Sequence, residues 1–164
     1  MVDKLVRRIL VPMDLSREQP QLQEYAIALA AQLGADLLFF SVIDSPTTLA
    51  LIGNHPSAGK GSSGFRAKVV ADAKVLLERM VALAVESGVR ASGHAVVSER
   101  VGDKVIHEAS ERDADLILVV AEDHSMLWNF FFADSSEVIS HRAPCPVLTI
   151  KPDPGPKGDP GERA

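Results

Sequence analysis

The feature that most constrains the fold is a strand, a helix and a second strand within about 35 residues near the start of the chain. Residues 8–13 form a short, branched apolar segment that predicts a buried strand. An amphipathic helix is predicted next, because apolar residues recur at helical spacing: Leu22, Ala26, Leu29 and Leu33. Gly34 stands where a helix C-cap is expected, and Asp36–Ile43 predicts a second buried strand. Such a unit implies parallel pairing with a right-handed crossover.

The rest of the chain continues the alternation after residues 44–64, where the pattern dissolves. Within that stretch, residues 59–64 have no periodicity and predict a mobile loop. An apolar stripe then predicts a long helix that Gly88 ends: Val69, Ala73, Leu76, Leu77, Met80, Leu83 and Ala84. Further elements are predicted in turn: strand Ala91–Val97, a helix opening at Gly102, strand 115–121, a short helix at 134–141 and strand 146–150. This order predicts a three-layer α/β/α domain with an open, mostly parallel five-stranded sheet.

Composition narrows the class of protein. Apolar residues make up 46% of the chain and charged residues 24%, the balance of a soluble globular protein. The net charge of -5 offers no overall attraction to nucleic acid or to an anionic membrane. Cys145 is the one cysteine, so no internal disulfide forms and a reducing compartment is favoured. The longest apolar run, residues 25–31, is far below the ~20 residues that span a bilayer, and we expect a cytoplasmic protein.

The chain divides into a domain at residues 1–151 and a tail at 152–164 that is rich in proline and glycine. The tail contains Gly-Pro-Lys, Gly-Asp-Pro and Gly-Glu-Arg, a collagen-like spacing. Three triplets are too few for a stable triple helix, so a disordered or extended tail is predicted.

Seven segments, in this order and at these separations, resemble the universal stress protein family. They are residues 9–16, 25–30, 34–37, 41–44, 101–103, 114–119 and 143–148. The resemblance implies five strands, four main helices and a homodimer that acts in stress response. It also implies that the dimer forms by pairing of the last strand, Val147–Ile150, across a two-fold axis, which would cover an open sheet edge.

Many members of that family bind ATP through a pattern of glycine, two residues, glycine, nine residues, glycine and a serine or threonine. Glycines let the backbone close around phosphates, and the hydroxyl lies where a helix N-terminus points its N–H groups. Counting back from residues 143–146, the three glycine positions hold Val120, Asp123 and Ala133. Asp134 holds the hydroxyl position. Every glycine is absent, and this departure decides the predicted function.

Carboxylates surround the predicted phosphate site, because Glu122, Asp123 and Asp134 all belong to this segment. Like charges 4 Å apart cost about 4 kcal/mol at an effective dielectric near 20. Micromolar affinity amounts to about 8 kcal/mol in total, so one such carboxylate would remove much of the binding. Asp134 and Glu137 also match a capping box, which predicts that Asp134 occupies the helix N-terminus that would meet a phosphate.

The adenine end of the pattern is less altered. By resemblance, Pro12, Asp14 and Val42 occupy positions that line the base and ribose pocket in nucleotide-binding members. Asp14 directly follows a strand, where ligands enter open parallel sheets. Alternatively, Asp14 caps the next turn. The two interpretations are equally open.

An aromatic cluster falls within the same altered segment: Trp128, Phe130, Phe131 and Phe132. One interpretation is that these side chains cover the vacant pocket or the dimer seam. The other is a docking patch for a protein partner, since exposed aromatic clusters mark interaction sites. Exposure of the four side chains would distinguish the two interpretations.

These observations predict a non-enzymatic universal stress protein of the class that does not bind ATP, with no cofactor and no metal. Glu122, Asp123 and His124 are consecutive, which predicts solvated loop charges rather than a metal site. Cys145 is predicted to be a buried, inert thiol, since no paired histidine is evident. The alternative is a regulator that binds ATP, AMP or adenosine through a remodelled phosphate loop. A weak ATP hydrolase is a third reading, without a recognisable base, metal set or phosphate cradle.

Overall fold

The computed structural model describes residue 3 and residues 5–52, 63–121 and 142–151, except the side chains at 46 and 63. Within these ranges the chain alternates strands and helices. The elements are β1 (Arg8–Pro12), α1 (Pro20–Leu33), β2 (Asp36–Ile43), α2 (Ser45–Ile52), α3 (Ser63–Glu86), β3 (Ala91–Val97), α4 (Val101–Glu111), β4 (Leu116–Val120) and β5 (Val147–Ile150).

The five strands form one sheet in the order β3-β2-β1-β4-β5, and every pair in it is parallel. Arg8 lies opposite Asp36 at the start of the β1–β2 pair, and Ile9 lies opposite Leu116 in the β1–β4 pair. The predicted parallel five-stranded sheet is confirmed. β1 is the central strand of the sheet, with β2 on one side and β4, from a later part of the chain, on the other.

Helices cover both faces of the sheet. One core contains side chains of α1, α2 and α3 against the sheet, and the other contains side chains of α4. Successive side chains of a strand point to opposite faces, so Ile9 enters the first core and Leu10 enters the second. The predicted three-layer α/β/α arrangement is confirmed.

α2 lies in the stretch where the sequence pattern dissolves, and sequence reasoning missed it. Of the loop predicted at residues 59–64, the described part, 63–64, is helical. Ser45–Ile52 is helical, and α3 already begins at Ser63. Asp44 caps α2, because its Oδ1 accepts a hydrogen bond of 2.9 Å from the backbone N–H of Thr47. Leu51 anchors the helix in the first core. The signal was present in the sequence as an aspartate three residues before Thr47 with a proline in the first turn.

Two leucines predicted to belong to apolar stripes are exposed instead. Leu33 is 40% exposed, since it is the last residue of α1 before the left-handed Gly34. Leu83 is 50% exposed, because it lies about 100° around α3 from the buried Ala84. Even α3, with 24 residues, lacks the apolar length to cross a membrane, and so do the other helices in the described ranges.

β3 and α3 approach each other closely at Gly93. A Cβ added at Gly93 would lie 3.0 Å from Cβ of Leu77 and 3.5 Å from Cγ2 of Val81. The Leu77 Cβ is fixed to the helix backbone, so it cannot rotate away. Glycine at this position therefore sets the distance between helix and strand.

We expect Gly93→Ala to lower the free energy of unfolding by about 1–2 kcal/mol, because the added methyl forces α3 away from β3. Urea denaturation followed by circular dichroism measures this change. Ser92→Ala is the matched control: Ser92 is exposed and adjacent, and its loss should change stability by less than about 0.5 kcal/mol. Equal stability of Gly93→Ala and wild type would contradict the close packing.

Candidate functional site

The strand order creates a crevice at the carboxyl ends of β1 and β4. From β1 the chain continues to β2 on one side, whereas β4 and β5 lie on the other side. Ligands of open α/β sheets bind at such a switch point, outside the carboxyl ends of the strands. Asp14 lies just beyond β1 and Ala121 just beyond β4, so both border the crevice.

The predicted site residues in the described ranges lie at this same edge of the sheet. Pro12 ends β1 opposite Phe40, which places Val42 two residues further along the neighbouring strand. Val120 ends β4 on the other side of β1. Other predicted site residues lie outside the described residues, namely Asp123, Ala133 and Asp134. The same holds for Glu122, His124, the aromatic residues Trp128, Phe130, Phe131 and Phe132, the helix predicted at 134–141, and the tail.

Asp14 holds the turn that follows β1. Its Oδ1 accepts hydrogen bonds from the backbone N–H of Ser16 at 3.0 Å and from the Ser16 hydroxyl at 2.5 Å. Its Oδ2 pairs with Nε of Arg17 at 3.1 Å, and its own N–H donates to Oε1 of Gln19 at 3.0 Å. The turn-capping interpretation of Asp14 is confirmed. Its role towards a ligand stays a prediction.

Val120 belongs to the hydrophobic core. Its side chain is 8% exposed and lies in the same core as Val11 and Met13 of the neighbouring chain segment. A glycine here would remove a buried side chain and leave a cavity, at a cost of stability. Val120 is therefore a packing residue at the end of β4, where the nucleotide-binding pattern has glycine.

Polar contacts link the segments that leave β2 and β3 at this edge, and sequence reasoning missed them. Ser45 donates its hydroxyl to Oε1 of Glu99 at 2.6 Å. Asp103 pairs with Arg100 at 2.7 Å and, more loosely, with Arg142 at 3.8 Å. These pairs are exposed, so each contributes little stability. Within the described ranges, no group of three or more histidine, cysteine and acidic side chains could hold a metal ion.

Cys145 lies two residues before β5, at the amino-terminal ends of the strands and therefore away from the crevice. Its thiol is free and half-buried rather than fully buried. Burial, with a smaller contribution from the negative charge of Asp115, raises the pKa of the Cys145 thiol to about 11. A protonated thiol is a poor nucleophile, which agrees with the predicted inert cysteine.

These features define a doubly wound, parallel α/β protein whose sheet has its topological switch point between β1 and β4. A family model for the universal stress protein family matches residues 6–151. The chain belongs to the universal stress protein family. A search of curated proteins found no match.

Solved structures support the same fold. A protein of this family from Burkholderia pseudomallei is 24% identical, with 91% of this chain and 98% of that chain covered at a TM-score of 0.61. An Arabidopsis thaliana family member with AMP bound is 17% identical; the match covers 90% of this chain and 93% of that chain at a TM-score of 0.59. The universal stress protein from Archaeoglobus fulgidus in complex with dAMP is 17% identical; the match covers 90% of this chain and 99% of that chain at a TM-score of 0.57.

We expect iodoacetamide to alkylate Cys145 at pH 8 about a hundredfold more slowly in the folded protein than in guanidinium. The reason is that a pKa near 11 instead of 9.0 leaves about one hundredth of the thiolate. Mass spectrometry over time measures the rate, which should rise with pH up to about 11 in the folded state. Equal rates in the folded and unfolded states would contradict the raised pKa. Cys145→Ser gives the background.

Proposed function

We propose that this chain is a universal stress protein of the class that does not bind ATP. It acts as a cytoplasmic regulatory or interaction homodimer in stress response, without catalysis and without a cofactor. The proposal rests on the residues of the phosphate-binding segment, on the hydrogen bonds of Asp14 and on the outward backbone groups of β5.

The observation that carries the proposal is the burial of Val120. The first glycine position of the nucleotide pattern contributes a side chain to the hydrophobic core, so the departure from glycine is part of the packing. The two other glycine positions hold Asp123 and Ala133, and Asp134 replaces the hydroxyl. Two carboxylates at a phosphate site oppose a triphosphate by about 4 kcal/mol for each contact near 4 Å.

Asp14 supports the proposal from the other side of the crevice. Both of its carboxylate oxygens already have partners, in Ser16 and Arg17. A ribose hydroxyl at this position would compete with those contacts. The guanidinium of Arg17, which could otherwise attract a phosphate, is held by Asp14 at 3.1 Å.

A second candidate is a regulator that binds an adenosine monophosphate or adenosine through the adenine end alone. The AMP-bound and dAMP-bound family members favour it, because a monophosphate needs less of the altered loop than a triphosphate. Pro12, Asp14 and Val42 lie together at the carboxyl edge, as this candidate requires. Adenosine-dependent stabilisation without ATP binding would support this candidate over the first.

β5 pairs only with β4 in the part of the chain that the structure describes, and the other side of this strand supports a homodimer. Pro146 and Ile150 accept hydrogen bonds from β4, at 3.0 Å from Ile117 and 2.7 Å from Ala121. Because bonding direction alternates along a strand, Val147 and Thr149 turn their N–H and C=O groups away from β4. A trough of about 710 Å³ between α1 and β5 runs beside this edge, with room for side chains of a second subunit.

We expect wild-type protein to show no thermal shift with ATP, and Asp123→Gly with Asp134→Ser to gain one. The double variant removes two carboxylates and restores a glycine and a hydroxyl. A ligand at 100 times its Kd stabilises the native state by about 2.7 kcal/mol. Differential scanning fluorimetry with ATP, AMP and adenosine measures the shifts, and calorimetry gives the Kd values.

The matched control is Glu86→Gln with Glu111→Gln, which also removes two negative charges from exposed helix positions far from the crevice. Only the site variant should gain ATP binding. If wild type binds ATP as tightly as the site variant, the proposal is wrong.

We expect Thr149→Pro to convert a dimer into a folded monomer. Proline removes the outward N–H of Thr149 and leaves the hydrogen bonds to β4 in place. Thr149→Ser keeps the N–H and should stay dimeric. Sedimentation equilibrium measures the mass and circular dichroism the fold; a monomeric wild type, or a folded and dimeric proline variant, would contradict pairing through β5.

A further inference from the structure

β3 forms the other edge of the sheet, and among the described residues it pairs only with β2. The N–H of Leu37 donates to Arg90 at 2.9 Å, and the N–H of Ser98 donates to Ile43 at 3.1 Å. These two bonds set the alternation, so even-numbered residues from 90 to 98 bond to β2. The outward groups are the N–H and C=O of four residues, which we call the β3 edge: Ala91, Gly93, Ala95 and Val97.

The β3 edge lacks the features that usually protect an edge strand. The strand β3 is seven residues long, about 23 Å, and contains no lysine, proline or acidic residue. His94 is its one titratable side chain, and its Nδ1 lies 2.9 Å from Oε1 of Glu108 on the face covered by α4. Within the described part of the chain these outward backbone groups have no strand partner, so they can pair with an added strand.

An apolar groove lies beside the β3 edge on the other face. We call it the α3 groove; it has a volume of about 310 Å³, and its apolar walls come from Val70, Leu77 and Val81. The groove exists because the side chains of β3 on this face are small, with Gly93 and Ala95 at its floor. Lys74, Glu78 and His94 complete the lining, and the opposite charges of the exposed Lys74 and Glu78 leave the rim without net charge.

A second copy of this chain does not fit the β3 edge. Cβ of Leu77 lies over Gly93, so α3 runs directly above the edge strand. Paired strands are about 4.8 Å apart, whereas packed helices need about 8–10 Å between their axes. Two copies paired antiparallel through β3 would have both α3 helices on the same face of the joined sheet, and these helices would collide.

A single extended segment does fit, because it brings no helix of its own. A seven-residue strand is also far shorter than the 20–30 residues that each side of a standard protein interface contributes, about 1,600 Å² in total. The size of this surface therefore matches a linear segment rather than a folded subunit.

We propose that the β3 edge and the α3 groove bind a short extended segment of a partner protein by strand addition. Its backbone pairs with the outward groups of β3, and its alternate side chains enter the α3 groove. Those side chains are uncharged and apolar, of the size of valine or leucine, since the walls are apolar and the rim is neutral. This proposal does not depend on whether the protein binds a nucleotide or dimerises through β5.

The probe is an acetylated and amidated eight-residue peptide in which valine alternates with threonine and lysine stands at both ends. Titration into ¹⁵N-labelled full-length protein should shift the amide signals of the β3 edge. Signals of Val147 and Thr149 at β5 should stay unchanged. The same peptide with a central proline should cause no shift, because it cannot complete a strand.

Two pairs of variants test the two halves of the surface. Ala95→Pro removes an outward N–H, and Ala95→Ser keeps it. Val70→Lys places a charge at the groove, and Val75→Lys places one on the same helix outside it; the two valines are 37% and 47% exposed. We expect Ala95→Pro and Val70→Lys to weaken peptide binding at least tenfold, and Ala95→Ser and Val75→Lys to bind like wild type.

The proposal fails if millimolar peptide shifts no signal of the β3 edge, or if the shifts map to β5 alone. It also fails if Val70→Lys binds as wild type does. If Ala95→Pro does not fold, the comparison of Val70→Lys with Val75→Lys still tests the proposal, because both valines are exposed on the surface. Equal loss of binding in both lysine variants would indicate a general effect of charge and would contradict binding in the α3 groove.

Discussion

The structure depends on burying β1 from both faces at once. Ile9, Leu10 and Val11 have no exposed surface, and their side chains alternate between the two cores. A strand in this position needs helices above and below it, which parallel connections supply. The same central placement makes β1 a neighbour of both β2 and β4, so the crevice at their carboxyl ends follows from the way the core is covered.

The central strands β1, β2 and β4 could be predicted because they are buried and read as continuous apolar runs, whereas β3 is largely exposed and its pattern is less regular. β2 and β3 have the predicted bounds, and the alternation of strands and helices sufficed for the layers. α2 was missed because its apolar residues, 49–52, are consecutive and give no helical periodicity. The Asp44 cap and the burial of Leu51 in the core stabilise it. Leu83 was misplaced because its neighbour Ala84, although smaller, is the residue that faces the sheet.

The candidate site was predictable in position rather than in detail. Motif spacing gives Val120 its place in the pattern, and the end of β1 gives Asp14 its place at the crevice. Spacing does not say that Asp14 pairs with Arg17, or that its N–H reaches Gln19, since both contacts depend on the path of the turn. The outward groups of β3 and β5 likewise require the register of each strand pair, which local sequence does not contain.

The position of α3 over β3 also limits how large an assembly of this protein can grow. A chain whose sheet could pair with its own kind at both ends would polymerise into a filament, because each added subunit exposes a new free end. Here the helix above Gly93 prevents one end from joining to itself. Self-association through β5 would therefore stop at two subunits, because α3 prevents the continuous sheet from extending further through β3.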